Sequence, residues 1–427
     1  MRSQEFLPPA RSPLERISSA RLRWTTPGPA PVTERLGWLD ALRGIAALVV
    51  VFEHSSYAFM REFRDAVVPE FNTGRYGVLV FFLVSGYIIP ASLERVGCVR
   101  SFWIGRAFRM YPLWAAVVVS FVALELLGVV EMRGGLGEQS VLEVAAAHVT
   151  LLQELLGTPS LLLVLWTLSY EVGFYLLVVA LFTVRLHRRS GAIAVALAVL
   201  AAVSVAAGFA LPVSALSGAI GTGPLIALAS IALVLAVCCA SSGAPVLRVA
   251  GGVLGGVLAL VLVPFNGTVP VWEGLVILAV MFLGTAVRRA ESGESTWRAA
   301  FCAAAVVVAC AVASAYADGD ASHFTRRGWI LAFLLAVLTF GAGLAVRHRR
   351  IPRLLVGLGT ISYSVYLLHP LLLAVTDGTI GRSRHDNLLL EAAFCAVLLP
   401  LCVLTHRCIE APGQAYGRRL ARRVRPP

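Results

Sequence analysis

The ionisable side chains of Arg43 and His54 lie in a mostly apolar stretch near the start of this chain. Titratable groups inside a membrane helix cost free energy, so they are functional candidates by default. Histidine exchanges protons near neutral pH, and the guanidinium group of arginine binds anions. Eleven helical steps of about 1.5 Å each separate the two residues by roughly 16 Å, about half the hydrocarbon thickness. One of them is therefore expected near a membrane face and the other well inside.

Four further segments place polar residues in or beside apolar runs. Arg106 and Arg109 are three residues apart and share a helix face, which suits phosphate binding, although a plain positively charged membrane anchor explains them too. Glu171 is a single acid among some twenty apolar residues, so it either pairs with an arginine or takes part in chemistry. His369 precedes a proline and fits a satisfied polar network equally well. Ser85 belongs to a Ser-Gly pair that allows close helix approach.

The composition decides the class of protein that must position these residues. With 58% hydrophobic and 14% charged residues over 427 positions, the chain cannot be a water-soluble globule. Because backbone groups inside a bilayer must be satisfied within the chain, each spanning run is expected to be a helix. We predict an all-α polytopic transmembrane bundle of about 10–12 spans. The apolar runs lie at roughly 40–58, 77–96, 111–130, 161–184, 191–211, 223–240, 246–264, 269–287, 298–316, 328–346, 354–376 and 388–405.

The arginines predict the orientation of the bundle, since cytoplasmic loops carry the basic excess. Basic connections alternate with connections in which acids offset the bases, so both termini are expected on the cytoplasmic side of the cell membrane. The net charge of +12 also favours contact with anionic lipid of the bilayer. Nucleic acid is not an expected partner, because the arginines are dispersed over many loops. The basic segments are the N-terminal arm, 95–109, 185–189, 288–298, 347–353 and 407–425.

The domain organisation predicted from these patterns is simple. Residues 1–36 are rich in Arg, Pro, Ser and Thr and are expected to form a disordered cytoplasmic arm. Residues 37–408 form the transmembrane domain, and residues 409–427 form a basic cytoplasmic tail. No cleavable signal peptide is expected before the first span. The eight cysteines have no paired metal-ligand spacing, so no metal site is expected.

Taken together, these segments resemble the acyltransferase-3 family of membrane-bound O-acyltransferases, which includes bacterial O-antigen acetylases and macrolide acylases. The resemblance covers about residues 36 to 415. Its motifs are Leu-Asp-x-Leu-Arg-Gly at 39–44, an arginine and a histidine with ten residues between them at 43 and 54, Phe-Phe-x-x-Ser-Gly at 81–86, Arg-x-x-Arg ahead of Tyr-Pro at 106–112, Trp-x-Leu-x-x-Glu at 166–171, Ser-Tyr-x-x-Tyr-Leu-x-His at 362–369 and Ile-Glu-x-Pro at 409–412.

The resemblance implies an acyl-CoA donor, in most members acetyl-CoA, and no permanently bound cofactor. The acceptor would be a hydroxyl group of a glycan, a glycolipid or a macrolide-like secondary metabolite. His54 would be the general base that accepts the hydroxyl proton, with Glu171 as a second catalytic residue. The donor would be held by Arg43, Arg106 and Arg109, and the supporting residues would be Asp40, Ser85, Tyr363 and His369.

Two departures from the family pattern bear on these expectations. Glu53 stands beside His54, where many members have an apolar residue, but neighbouring helix residues point about 100° apart, so adjacency alone does not orient the histidine. Many members also carry an appended serine-hydrolase-like domain that this sequence lacks. Any acyl relay would then end within the membrane domain or on a separate protein.

A transporter or flippase is the alternative class of function. In that case Arg43, His54 and Glu171 would line a polar translocation path, which fits the hydropathy equally well. Transporters often have two similar halves, whereas here the buried polar residues concentrate in the first four spans. A purely structural membrane protein would leave these residues without a purpose.

Overall fold

The computed structural model describes residues 36–132, 134–209, 211–320 and 325–424, and every regular element in these ranges is helical. In chain order the α-helices are α1 (Gly37–Phe59), α2 (Arg61–Val67), α3 (Thr73–Val96), α4 (Val99–Leu126), α5 (Val141–Thr150), α6 (Trp166–Thr183), α7 (Ser190–Ala206), α8 (Ala215–Ile220), α9 (Thr222–Ala240), α10 (Pro245–Asn266), α11 (Val271–Glu291), α12 (Trp297–Asp318), α13 (Arg326–Ala345), α14 (Arg353–Thr379), α15 (Leu388–Thr405) and α16 (Ala411–Arg423). Short 3₁₀ turns punctuate the connections, and a π-helical turn, His406–Glu410, joins α15 to α16.

Eleven of the described helical segments are long and apolar enough to cross a membrane. The 23-residue α1 is a twelfth long helix, but Asp40, Arg43 and Glu53 make it more polar than the others. Each of the twelve apolar runs found in the sequence coincides with one long helix, because a run of about twenty apolar residues leaves its backbone no other way to satisfy its hydrogen bonds in lipid. The all-α polytopic bundle is therefore confirmed.

The long helices alternate in direction, which gathers at one end of the bundle the connections that contain arginines or are flanked by arginines in the adjoining helix ends. We call this the arginine-rich end and define it by the connections 97–98, 184–189, 292–296 and 346–352. The opposite end is defined by the connections 60–72, 127–162 and 380–387. Helix α1 begins at the arginine-rich end, so Arg43 lies nearer to that end and His54 nearer to the opposite one.

The parallel helices α1 and α14 touch through their backbones. A Cβ atom on Gly359 would overlap the carbonyl oxygen of Asp40, and one on Gly44 would lie 2.8 Å from the nitrogen of Gly359. Small residues allow this approach, as is usual for packed membrane helices. His54 follows Gly44 by ten positions, and His369 follows Gly359 by ten positions. Because the two glycines touch, the two histidines lie at the same depth in the bundle.

Helix α11 is buried on almost every side, so its charges must find partners inside the bundle. The carboxylate of Glu273 accepts hydrogen bonds from Arg75 and from the indole nitrogen of Trp329, the latter at 3.0 Å. At the other end of α11, Arg289 forms ion pairs with Glu94 and Glu294. These pairs tie α11 to α3 at both ends of the bundle and to α13 at the Glu273 end.

The basic tail continues the bundle as helix α16. Gly413 and Gly417 lie against Pro112 and Phe108 of α4, and the rings of Tyr416 and Phe108 are 5.3 Å apart. The arm predicted for residues 1–36 lies, apart from its last residue, outside the described residues, and the predicted domain boundaries stay predictions.

Candidate active site

His54 and His369 form a hydrogen-bonded pair at the α1–α14 contact. The Nδ1 atom of His54 lies 2.9 Å from Nε2 of His369, with ring planes 18° apart. The Nδ1 atom of His369 lies 2.9 Å from the carbonyl oxygen of Val365. A carbonyl oxygen only accepts, so Nδ1 of His369 carries a hydrogen and its Nε2, in the neutral ring, accepts one from His54. This chain of bonds leaves Nε2 of His54 with a free lone pair.

His54 lines a large cavity that we call the histidine cavity. It has a volume of about 690 Å³ and reaches the opposite end of the bundle, where its rim carries Glu131, Asp377 and Arg382. Arg382 donates two hydrogen bonds to Oδ2 of Asp377, at 2.7 and 3.1 Å. The remaining wall is mainly aliphatic and includes the stretch 161–163. The cavity therefore offers a proton acceptor at its inner side, apolar walls and a charged rim.

The wall at 161–163 is held in place by His148 of α5. Nδ1 of His148 lies 2.8 Å from the carbonyl oxygen of Val144, and its Nε2 accepts the backbone N–H of Leu161 at 3.0 Å. Both bonds need the neutral imidazole. His148 lies outside the spans, and burial lowers the pKa of its side chain, which keeps it in that form near neutral pH.

A second, much smaller cavity of about 70 Å³ lies nearer to the arginine-rich end, and we call it the arginine cavity. It brings together five residues singled out in the sequence, which come from five different helices: Arg43, Ser85, Arg109, Glu171 and Tyr363. Within the part of the chain that the structure describes, the guanidinium groups of Arg43 and Arg109 make no hydrogen bond and no ion pair. Two adjacent cations without direct partners form a site suited to an anionic group.

Glu171 and Tyr363, which both line this cavity, are each held by one hydrogen bond from a tyrosine hydroxyl. Glu171 accepts a hydrogen bond from the hydroxyl of Tyr175 at 2.7 Å, and its charge acts on Arg43 across the cavity. Tyr363 donates its hydroxyl hydrogen to the carbonyl oxygen of Met110 at 2.9 Å. The side-chain hydrogen-bond partner of His54 is His369. A catalytic role for Glu171 stays a prediction.

Three other residues considered in the sequence lie beside the two cavities. Arg106 lies behind the arginine cavity, with its guanidinium carbon 5.7 Å from the ring centroid of Tyr175. Asp40 packs against Gly359, and its charge acts on Arg43. Glu53 accepts a hydrogen bond from the hydroxyl of Thr73 and faces α3. The expectation that Glu53 does not orient His54 merely by adjacency is thus in line with the geometry.

The sequence interpretation included Tyr366 in the motif at 362–369 but gave it no role in the site, whereas it lines the arginine cavity. Its hydroxyl lies 2.8 Å from Oγ1 of Thr167, and its ring meets that of His369 edge-on, with centroids 6.0 Å apart. The spacing of three between Tyr366 and His369 places both on one face of α14 and was the available signal. His148 was missed as well, because a lone histidine in a connection carries no pattern.

The comparison with known families decides the class. A family model described as "Acyltransferase domain" matches residues 36–407, most of the chain. The chain belongs to the acyltransferase-3 family. This supports the acyltransferase prediction over the transporter alternative and, with the apolar helices, indicates a multi-pass membrane enzyme.

Two curated proteins show what this acyltransferase is similar to. Nodulation protein 10 of Rhizobium leguminosarum bv. viciae is 29% identical over 182 residues, which cover 38% of this chain and 48% of that protein. Acyltransferase MdmB of Streptomyces mycarofaciens is 29% identical over 154 residues, covering 34% of this chain and 39% of that protein. The matched segments thus span less than half of either relative. No solved structure matches the chain.

Proposed function

We propose that this enzyme transfers an acetyl group from acetyl-CoA to a hydroxyl group of a glycan, glycolipid or macrolide-like acceptor, with His54 as the general base. The observation that carries the proposal is the hydrogen bond between His54 Nδ1 and His369, which leaves Nε2 of His54 available as a base, in a residue that lines the 690 Å³ cavity. A cavity of that size has room for an acceptor molecule, and the lone pair is available to its hydroxyl hydrogen.

The reaction needs one proton transfer and one acyl transfer. His54 takes the hydroxyl hydrogen on Nε2 while the acceptor oxygen attacks the thioester carbonyl carbon. Collapse of the tetrahedral intermediate breaks the carbon–sulfur bond, and the imidazolium returns the proton to the departing CoA thiolate. The products are the ester and free CoA, so the balance is complete without a covalent enzyme intermediate. A positioned base contributes roughly 10²–10⁴-fold to such a step, and alignment contributes more.

The donor would enter from the arginine-rich end, which the excess of arginine predicts to be cytoplasmic, with both termini on that side of the cell membrane. Arg43 and Arg109 have guanidinium groups free to bind the phosphates or the polarised carbonyl of the donor, and Arg106 stands behind them. In this arrangement the donor and the acceptor approach from opposite ends of the bundle.

The walls of the histidine cavity favour one group of acceptors. Leu161, Leu162 and Leu373 present aliphatic surface, and the polar groups are concentrated at the rim and at His54. A glycolipid or a macrolide-like alcohol buries its apolar face on such walls, whereas a free sugar leaves them unused. We therefore expect amphipathic acceptors to bind more tightly than free sugars with the same reactive hydroxyl.

Transfer of radiolabelled acetyl-CoA by the purified protein in detergent tests the proposal. The acceptors compared are methyl glucoside, octyl glucoside and a macrolide with a free hydroxyl. His54→Ala should lower kcat by about 10²–10⁴-fold, and Arg109→Ala should raise the KM for acetyl-CoA. The matched controls are His348→Ala and Arg248→Ala, which remove exposed side chains at the arginine-rich end.

Two results would count against the proposal. If the wild-type protein consumes no acetyl-CoA with any acceptor, the donor assignment is wrong. If His54→Ala retains the wild-type kcat, another residue is the base. Equal turnover of methyl glucoside and octyl glucoside would contradict only the preference for amphipathic acceptors and would leave the rest of the proposal standing.

A further inference from the structure

The donor site and the base lie in separate cavities, and a wall divides them. Tyr366 faces the arginine cavity, whereas His54 lines the histidine cavity. Between them stands His369, which contacts the ring of Tyr366 on one side and the ring of His54 on the other. The ring of Phe81 meets Tyr366 edge-on, with centroids 5.5 Å apart, and completes this wall.

Acyl transfer requires this wall to open. The reacting carbonyl carbon and the hydroxyl oxygen must come within about 3–3.5 Å of each other. A thioester in the arginine cavity is separated from a hydroxyl at His54 by the Tyr366 ring and, behind it, by the His369 ring. His369 is held by its hydrogen bonds to Val365 and His54. The tyrosine ring is therefore the group that must move, or the acyl group must pass beside it.

The hydrogen bonds of Tyr366 fit a wall that opens at moderate cost. Its hydroxyl lies 2.8 Å from Oγ1 of Thr167 and 3.3 Å from the carbonyl oxygen of Val164. Its ring meets those of Phe81 and His369 edge-on, and a tyrosine side chain turns about only two bonds. These few polar contacts hold the ring closed without locking it to the main chain of α14.

We propose that Tyr366 is the gate between the two cavities and determines whether the acyl group goes to the acceptor or to water. This inference rests on the proposed function. With the ring closed, water in the histidine cavity does not reach the thioester, so the donor is preserved until an acceptor is bound. With the ring removed, water donates a proton to His54 and attacks the carbonyl, which yields acetate and free CoA.

The test is the ratio of acetyl-CoA hydrolysis to acetyl transfer, measured from labelled acetate and labelled ester in the same samples. Tyr366→Ala should raise this ratio about tenfold or more relative to wild type. Thr167→Val keeps the size of the side chain and removes the anchoring hydroxyl, so it should raise the ratio by a smaller factor. Tyr316→Ala, which removes an exposed tyrosine of α12, is the matched control and should leave the ratio unchanged.

The outcomes separate the gate from the reaction itself. Wild-type transfer together with an unchanged ratio in both Tyr366→Ala and Thr167→Val overturns the gate and leaves the proposed function standing. No turnover by the wild type removes the proposed function and this inference with it. If Tyr366→Ala does not fold, Thr167→Val and Tyr366→Phe decide, because both keep the aromatic ring and weaken only its anchor.

Discussion

Replacing His369 by leucine or by glutamine tests how the base is prepared for its role. His369 lines neither cavity but supplies the acceptor for the Nδ1 hydrogen of His54 at 2.9 Å. Leucine removes that acceptor and leaves the buried N–H group without a side-chain partner. Glutamine places an amide oxygen near the position of the lost Nε2 atom, so it keeps an acceptor.

The size of the effect follows from that one hydrogen bond. Leaving a buried donor unsatisfied costs about 1–3 kcal/mol, and about 1.4 kcal/mol corresponds to a tenfold change in rate. Without its partner, His54 also gains access to the other tautomer, in which Nε2 carries the hydrogen and cannot act as a base. We expect His369→Leu to lower kcat about 10- to 100-fold and His369→Gln to recover most of the loss.

The assay is steady-state acetyl transfer with acetyl-CoA and the acceptor varied separately. His369 is a positioning residue that does not touch the donor, so the KM for acetyl-CoA should stay within about threefold of wild type while kcat falls. A purely structural role would lower the amount of folded protein or change both constants together, and glutamine would then give no selective rescue of kcat.

One pattern would refute the reasoning directly. If His54→Gln keeps the wild-type kcat while every substitution at His369 abolishes it, then His369 is the base and His54 its partner. Equal kcat values for wild type and His369→Leu would show that the hydrogen bond between the rings does not orient the base.

Two further predictions concern stability. Burial lowers the pKa of His148, so the folded state disfavours its protonated form. The contribution of neutral His148 to the free energy of unfolding is therefore complete above about pH 6.5, the pKa of histidine in the unfolded chain, and declines as the pH falls below that pKa. Thermal unfolding in detergent should show that His148→Leu is less stable than wild type at pH 7.5 by about 1–3 kcal/mol, because the N–H of Leu161 loses its acceptor. His148→Gln should keep the wild-type stability at pH 7.5 and lose part of the fall in stability between pH 7 and 5. If the fall in stability is the same in His148→Gln as in wild type, this histidine is not its source. Gly359→Val should lower the melting temperature or prevent folding, because the valine side chain would overlap the backbone at Asp40. Gly357→Ala is the control and should leave the melting temperature unchanged, because Gly357 has open space around it. Equal melting temperatures for the two variants would contradict the close helix contact.

The helices were predictable from the sequence because lipid leaves few alternatives. A run such as 271–287 must form a helix to satisfy its backbone groups, and each predicted run is a helix in the structure. The ends were less certain, since flanking polar residues continue several helices. The run expected at 111–130, for example, belongs to a helix that starts at Val99, about three turns before the apolar stretch.

The composition of the arginine cavity could be predicted only in part. Arg43, Glu171 and Tyr363 were singled out because they are polar or belong to motifs, but no spacing within one helix shows that three distant segments meet. That meeting depends on the packing of α1, α6 and α14, which is decided by glycine contacts and side-chain shapes over the whole bundle. Tyr366 was overlooked for a related reason, since an aromatic residue in an apolar helix usually fills the core.

The pairing of His54 with His369 shows how a long-range contact is encoded in two local spacings. Gly44 precedes His54 by ten residues, and Gly359 precedes His369 by ten residues. Either spacing alone carries little information. When two parallel helices touch at the glycines, however, equal spacings bring the histidines to equal depth. Because the helix contact fixes the partner of the His54 Nδ1 hydrogen, it also keeps the other ring nitrogen, Nε2, in the form that accepts a proton. Helix packing therefore prepares the base for its role.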